Sequence, residues 1–200
     1  MFKTIHKLMF GLLMIALFCS NITEAQTTQT KVVFPQFSIS PIGGVQFPTG
    51  GLNDTYNPSF NAGVDFCLRI NKETAFYLNG AYFNMPIKSE LPPGPNSSYI
   101  AITAGPRYFF TSSSIKALLF LEAGAGIYIV GTKEWTIAGT PPITIASTSS
   151  TAFGCNTGPG VIIPLSKSMD IVMKTKVHYI FQKGGDRVFV QVSAGLNFAL

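Results

Sequence analysis

The chain has 200 residues, of which 12% are charged, and it carries a formal net charge of +5. A positive charge this mild and dispersed excludes nucleic acid as the expected partner. Beyond the N-terminal segment no apolar run is long enough for a membrane helix, so any membrane span must consist of β-strands.

The N-terminal segment has the pattern of a secretory signal. Lys3 and Lys7 precede an apolar stretch over residues 9–18, and Ala25 follows where a signal peptidase reads small residues. Because the apolar stretch is too short to cross a bilayer as a helix, we predict that residues 1–25 are a cleaved signal peptide.

The rest of the chain alternates between apolar and mixed residues, which is the pattern of strands with one apolar face. Each segment is long enough to cross a bilayer when tilted. We predict a short N-terminal segment over 26–36 and an all-β barrel domain over 37–200. Its eight strands are predicted at residues 37–48, 59–70, 73–86, 98–110, 116–130, 150–164, 169–181 and 188–199.

The connections between these strands alternate in length. Short turns are predicted at 71–72, 111–115 and 165–168, and longer loops rich in Gly, Pro, Asn and Ser at 49–58, 87–97, 131–149 and 182–187. Short turns at one end and long loops at the other are typical of an up-and-down barrel inserted from the periplasm.

Aromatic residues on the apolar face indicate which face meets lipid. They fall near both strand ends, as in the interfacial girdles of membrane barrels, although ordinary aromatic enrichment in strands is the alternative. We therefore predict that the apolar face points outward. The two bands are Phe47, Phe60, Tyr82, Phe153 and Phe181 at the long-loop end, and Phe37, Phe76, Tyr108, Phe110 and Phe198 at the short-turn end.

The mixed face would then line the lumen. Arg107 and Glu122 lie on adjacent strands across a short turn, close to diagonal partners. Lys174 or Lys176 could reach Glu122 over the sixth strand, whose inner face is bare at glycines 154, 158 and 160. We expect a polar plug rather than a conducting path. Its predicted members are Asp65, Arg69, Arg107, Glu122, Lys174, Lys176 and His178.

The sequence gives little evidence of a catalytic or metal-binding site. His178 is the only mature histidine, and there is no Gly-x-Ser-x-Gly turn. Asp65 and Glu122 could form an acid and base pair, but a lumen of ion pairs explains them with fewer assumptions. Cys67 and Cys155 are predicted on opposite faces as free thiols. We expect no enzyme activity, no metal and no cofactor.

The longest connection carries a second candidate site. Trp135, Ile137, Ile143 and Ile145 alternate on both sides of the turn signal at residues 139–142. This predicts a hairpin that extends the fifth and sixth strands beyond the membrane. Apolar residues exposed there would form a contact surface for an unknown surface ligand, unless they pack against neighbouring loops.

Three segments carry a family resemblance: Gly-Pro-Arg-Tyr-Phe-Phe at 105–110, Leu-Glu-Ala-Gly-Ala-Gly at 121–126 and Gly-Leu-Asn-Phe at 195–198. Together they resemble the outer-membrane β-barrel domain family, the small eight-stranded barrels. The resemblance implies an antiparallel transmembrane barrel in a bacterial outer membrane, with membrane lipid as a partner. Phe198 resembles the terminal aromatic that the barrel-insertion machinery recognises.

We therefore expect an integral outer-membrane barrel with a structural or surface-interaction role. One alternative is a narrow pore, which unitary currents in a planar bilayer would reveal. A second alternative is a secreted soluble barrel that carries an apolar ligand, which resistance of the protein to extraction from membranes would exclude.

Overall fold

The structure is a computed structural model that describes residues 34–89, 94, 96–110, 117–137, 142–166, 168–182 and 185–200. The predicted signal peptide and the predicted turn at 111–115 lie outside these residues.

Eight long strands form one closed antiparallel barrel. The eight predicted strands are confirmed, and their ends differ from the prediction by no more than two residues. The elements in chain order are β1 Gln36–Thr49, α1 Gly51–Thr55, β2 Ser59–Arg69, β3 Thr74–Met85, β4 Ser97–Phe110, β5 Leu118–Thr132, β6 Trp135–Ile137, β7 Ile143–Ile145, β8 Thr148–Pro164, β9 Met169–Phe181 and β10 Arg187–Ala199.

The topology of the barrel is up-and-down. Each wall strand pairs with its neighbours along the chain, and β5 pairs directly with β8 because β6 and β7 form a separate two-stranded sheet. The barrel closes where β1 pairs with β10, from Ser38 opposite Ala199 to Thr49 opposite Val188. An even number of strands brings both ends of the barrel domain to the short-turn end.

The wall is apolar outside and polar inside. On β9, for example, Val177 faces outward with 42% of its surface exposed, whereas its neighbours Lys176 and His178 are fully buried. A soluble barrel that carries an apolar ligand needs the opposite arrangement. The outward apolar face is what a barrel embedded in a bilayer requires.

Both aromatic bands lie on the outer face of the wall. Phe47, Phe60 and Phe153 are about half exposed at the long-loop end, as are Phe37 and Phe76 at the short-turn end. On β1 the band positions Phe37 and Phe47 are about 25 Å apart along the barrel axis for a strand tilted by about 40°. This separation matches the height of the apolar belt of an outer-membrane barrel.

The two ends of the barrel are built differently. At the short-turn end the Asn71 side chain accepts hydrogen bonds from the backbone N–H groups of Glu73 (2.9 Å) and Thr74 (2.8 Å), which fixes a tight turn. At the long-loop end α1 buries Leu52, and the Tyr56 hydroxyl lies 2.9 Å from Ser97 Oγ.

In the described part of the chain no helix has the length and the apolar character to cross a membrane.

Candidate functional site

Five charged side chains from four strands meet in the middle of the lumen, and we call them the charged cluster. Arg107 lies directly opposite Glu122 across β4 and β5, rather than diagonally as the sequence predicted. Arg107 donates from Nε to Glu122 Oε2 at 2.8 Å and from Nη2 to Asp65 Oδ2 at 2.5 Å. The guanidinium group therefore bridges both carboxylates of the cluster.

Two lysines of β9 complete the charged cluster. Lys174 Nζ lies 2.9 Å from Asp65 Oδ2 and 3.5 Å from Glu122 Oε1, and Lys176 Nζ lies 2.7 Å from Glu122 Oε1. All five side chains are at most 3% exposed. Three cations and two carboxylates leave a formal charge of 3 − 2 = +1 in a space that excludes solvent.

Glycines of β8 allow the lysines to cross to Glu122. Gly158 lies opposite Glu122 across β5 and β8 and contributes no side chain to the lumen. A Cβ at Gly160 would lie 2.2 Å from Cζ of Phe120, so this glycine provides the space that the ring occupies. The bare inner face that the sequence predicted thus lies beneath the two lysines.

The structure separates Arg69 from the charged cluster. Arg69 lies at the short-turn end, where its Nε donates to the Asn71 carbonyl (3.2 Å) and its Nη2 donates to the Lys72 carbonyl (2.5 Å). Its guanidinium carbon lies 4.4 Å from the centre of the Phe109 ring. Arg69 therefore belongs to the mouth of the lumen.

His178 also lies outside the charged cluster, one layer closer to the long loops. Its Nδ1 lies 2.8 Å from the Tyr128 hydroxyl, and its Nε2 lies 2.9 Å from Gln191 Oε1. Gln191 in turn donates to Asn61 and Ser193, which leaves its Oε1 as an acceptor. The neutral imidazole satisfies both contacts, so His178 has a packing role.

Two apolar layers that the sequence analysis did not predict enclose these polar groups. At the long-loop end Phe83 and Phe189 meet with ring centres 4.9 Å apart, and at the short-turn end Phe109 and Phe120 meet at 5.8 Å. All four rings are at most 1% exposed. The layers also include Met85, Tyr99, Tyr128 and Ile180 at the long-loop end, and Ile42, Cys67 and Val172 at the short-turn end.

A cavity of about 220 Å³ opens below the short-turn layer, at the mouth of the lumen. Phe109, Leu118 and Ile162 line one side, and Arg69 and Asp170 are among the polar residues that line the other. The two cysteines of the described residues are free thiols on opposite faces: Cys67 lines this cavity, whereas Cys155 is exposed on the outer wall.

The longest connection forms a hairpin, but as a sheet of its own rather than a continuation of β5 and β8. In β6 and β7, Trp135 pairs with Ile145, Thr136 with Thr144, and Ile137 with Ile143. Trp135, Ile143 and Ile145 therefore share one face, of which Ile143 is 61% and Ile145 45% exposed. The Ile137 side chain and the turn at 138–141 lie outside the described part of the chain.

Comparisons with known proteins find likeness at the level of the fold. No protein-family model and no curated sequence matches the chain. Neisserial surface protein A superposes with a TM-score of 0.61 and 16% identity, covering 81% of this chain and 96% of that one. A major outer membrane protein from Thermus thermophilus superposes with a TM-score of 0.58 and 11% identity, covering 82% of this chain and 99% of that one. The N-terminal barrel of Pseudomonas aeruginosa OprF superposes with a TM-score of 0.51 and 10% identity, covering 83% of this chain and 98% of that one.

The chain is thus a small eight-stranded transmembrane β-barrel, with the fold of the outer-membrane barrels it resembles. Because its outer wall is apolar and the charged cluster is enclosed, this fold places the protein in a bacterial outer membrane.

Proposed function

We propose that the protein is a closed outer-membrane barrel that acts through its cell-surface loops and not as a pore. The observation that carries this proposal is the filled lumen. Five ion-paired side chains occupy its centre, and an aromatic layer covers them on each side. Opening a continuous path would require breaking buried ion pairs as well as moving packed rings.

Reconstitution into planar bilayers tests the closed lumen. We expect no stable unitary current from the folded protein. Stable unitary currents from the native barrel, abolished by denaturation, would favour the narrow pore instead.

The hairpin of β6 and β7 supports the surface-interaction part of the proposal. The ladder between β5 and β8 continues from the level of Phe153, in the long-loop aromatic band, to the pair Thr132 and Thr148. This rise of about 17 Å along the strands carries the hairpin beyond the aromatic band. Its exposed isoleucines form an apolar surface held away from the lipid, which is a feature of contact sites.

A further inference from the structure

The cavity at the short-turn mouth has two chemically different sides. Phe109, Leu118 and Ile162, from the adjacent strands β4, β5 and β8, form an apolar wall. The polar residues come from β9, β10, β1 and β2, which are also adjacent around the barrel. The apolar and polar linings are therefore two continuous halves of one mouth.

The polar half carries one cation and one carboxylate that do not pair. Within the described residues Arg69 forms no ion pair with Asp170, although both line the cavity. The two charges thus face a shared space that a ligand could bridge.

Both charged groups are held in position. Arg69 uses Nε and Nη2 on the Asn71 and Lys72 carbonyls and packs over Phe109. Asp170 Oδ2 accepts a hydrogen bond from Asn197 Nδ2 at 2.8 Å.

Asn197 is itself fixed from above the cavity. Its Oδ1 accepts a hydrogen bond from Ser40 Oγ at 2.8 Å. With Arg69 and Asp170 both anchored, Nη1 of Arg69 and Oδ1 of Asp170 have no partner within the described part of the chain. Such anchoring lowers the entropic cost of binding a ligand between them.

We propose that this mouth binds an apolar α-amino acid. The ligand's carboxylate would accept from Arg69 Nη1, its ammonium group would donate to Asp170 Oδ1, and its side chain would pack on Leu118 and Ile162, beside the Phe109 ring that Arg69 covers. The cavity has a volume of about 220 Å³, enough for a ligand of this size. The aromatic layer above it makes this a binding site that does not lead through the barrel.

Ligand analogues test the proposal on the native protein. Leucine is titrated into the ¹⁵N-labelled barrel in detergent micelles, and the amide signals of Asp170 and Asn197 are followed. We expect saturable shifts in the millimolar range. 3-Methylbutylamine, which lacks the carboxylate, and 4-methylpentanoate, which lacks the ammonium group, should each bind at least tenfold more weakly. Equal binding of leucine and either analogue, or absence of saturation, would overturn the proposal.

Variants provide the second arm. Arg69→Gln and Asp170→Asn should each weaken leucine binding at least tenfold, whereas Lys133→Gln, at an exposed position of the opposite end of the barrel, should leave it unchanged. An equal loss in Lys133→Gln would also overturn the proposal. If a mouth variant fails to fold, the analogue series on the native barrel still decides. The assay requires neither conductance nor surface binding, so its failure is distinguishable from failure of the proposed function.

Discussion

Arg107 and Glu122 face each other in direct register across β4 and β5, and the Arg107 guanidinium reaches on to Asp65. The two carboxylates therefore share the Arg107 guanidinium, and Lys174 is a second cation that lies near both. Because the lumen excludes water around them, the free energy of this arrangement depends on keeping each buried charge partnered.

Removing Glu122 should destabilise the barrel strongly. Glu122→Gln leaves three cations around one carboxylate, and we expect a loss of about 3–5 kcal/mol in the free energy of unfolding. The double variant with Arg107→Gln should lose less free energy of unfolding than the sum of the two single variants, because the second change removes a cation that has already lost one of its two carboxylate partners. Urea unfolding in lipid vesicles measures the free energies of the native protein, the two single variants and the double variant. Strictly additive losses would rule out an interaction between Arg107 and Glu122.

Removing Lys176 should cost less than removing Glu122, although both are fully enclosed. The charged cluster has three cations and two carboxylates, so Lys176→Gln leaves two of each, whereas Glu122→Gln raises the formal charge to +2. The same unfolding measurement compares the two variants. A loss for Lys176→Gln that equals or exceeds that for Glu122→Gln would show that charge balance does not govern this lumen.

A lysine on the outer face of β9 should destabilise the barrel, although lysines are native on the inner face of the same strand. Val177→Lys places an ammonium group on the lipid face of β9, and we expect a loss of about 2–4 kcal/mol. Ile145→Lys is the control, since Ile145 is equally exposed but lies on the hairpin of β6 and β7. Equal effects of the two substitutions on unfolding in vesicles would mean that the wall does not face lipid at Val177.

Gly160 should not tolerate a methyl group. A Cβ there would lie 2.2 Å from the Phe120 ring, which is 1% exposed and has little room to move. We expect Gly160→Ala to lower the free energy of unfolding by about 1–3 kcal/mol. Gly80→Ala is the matched control on β3, because nothing lies within 4 Å of its added Cβ. Similar losses in both variants would point to backbone effects instead of crowding at the ring.

Alternation of residues was sufficient to predict the wall, because a period of two assigns every strand residue to one of two faces. The same rule brought Asp65, Arg107, Glu122 and both lysines to one face. It could not predict their partners, since which lysine reaches which carboxylate depends on the stagger between strands. Arg69 also lies on the inward face of its strand, β2, but it is too close to the short-turn end of that strand to reach the charged cluster.

The apolar layers were missed for a related reason. Phe83, Phe109 and Phe120 follow the inward period of their strands, but composition alone does not tell a lumen filled with rings from one filled with charges. The sequence feature that indicates them is an aromatic residue two positions from a charged residue of the same strand, such as Phe120 beside Glu122, because such residues point to the same face. An aromatic residue on the charged face of a barrel strand therefore indicates a closing layer.

The hairpin of β6 and β7 should be dispensable for folding and required for any surface contact the protein makes. The β5 and β8 ladder ends at Thr132 and Thr148, whose side chains are hydrogen-bonded to each other. Deleting residues 135–147 leaves Lys133 and Glu134 as a two-residue connection, a length that hairpins favour. We expect the shortened barrel to insert and to unfold at an unchanged urea concentration.

Binding is then measured as adhesion of bacteria that express the native barrel, the deletion or a face variant. Replacing Ile143 and Ile145 with serine should abolish adhesion, whereas replacing Thr136 and Thr144, on the opposite face, should leave it unchanged. The emission of Trp135, the only tryptophan in the chain, reports contact directly, because burial of the indole shifts it to shorter wavelength. Loss of the folded barrel on deletion would instead make the hairpin a structural element, since its apolar face would then be needed by the neighbouring loops.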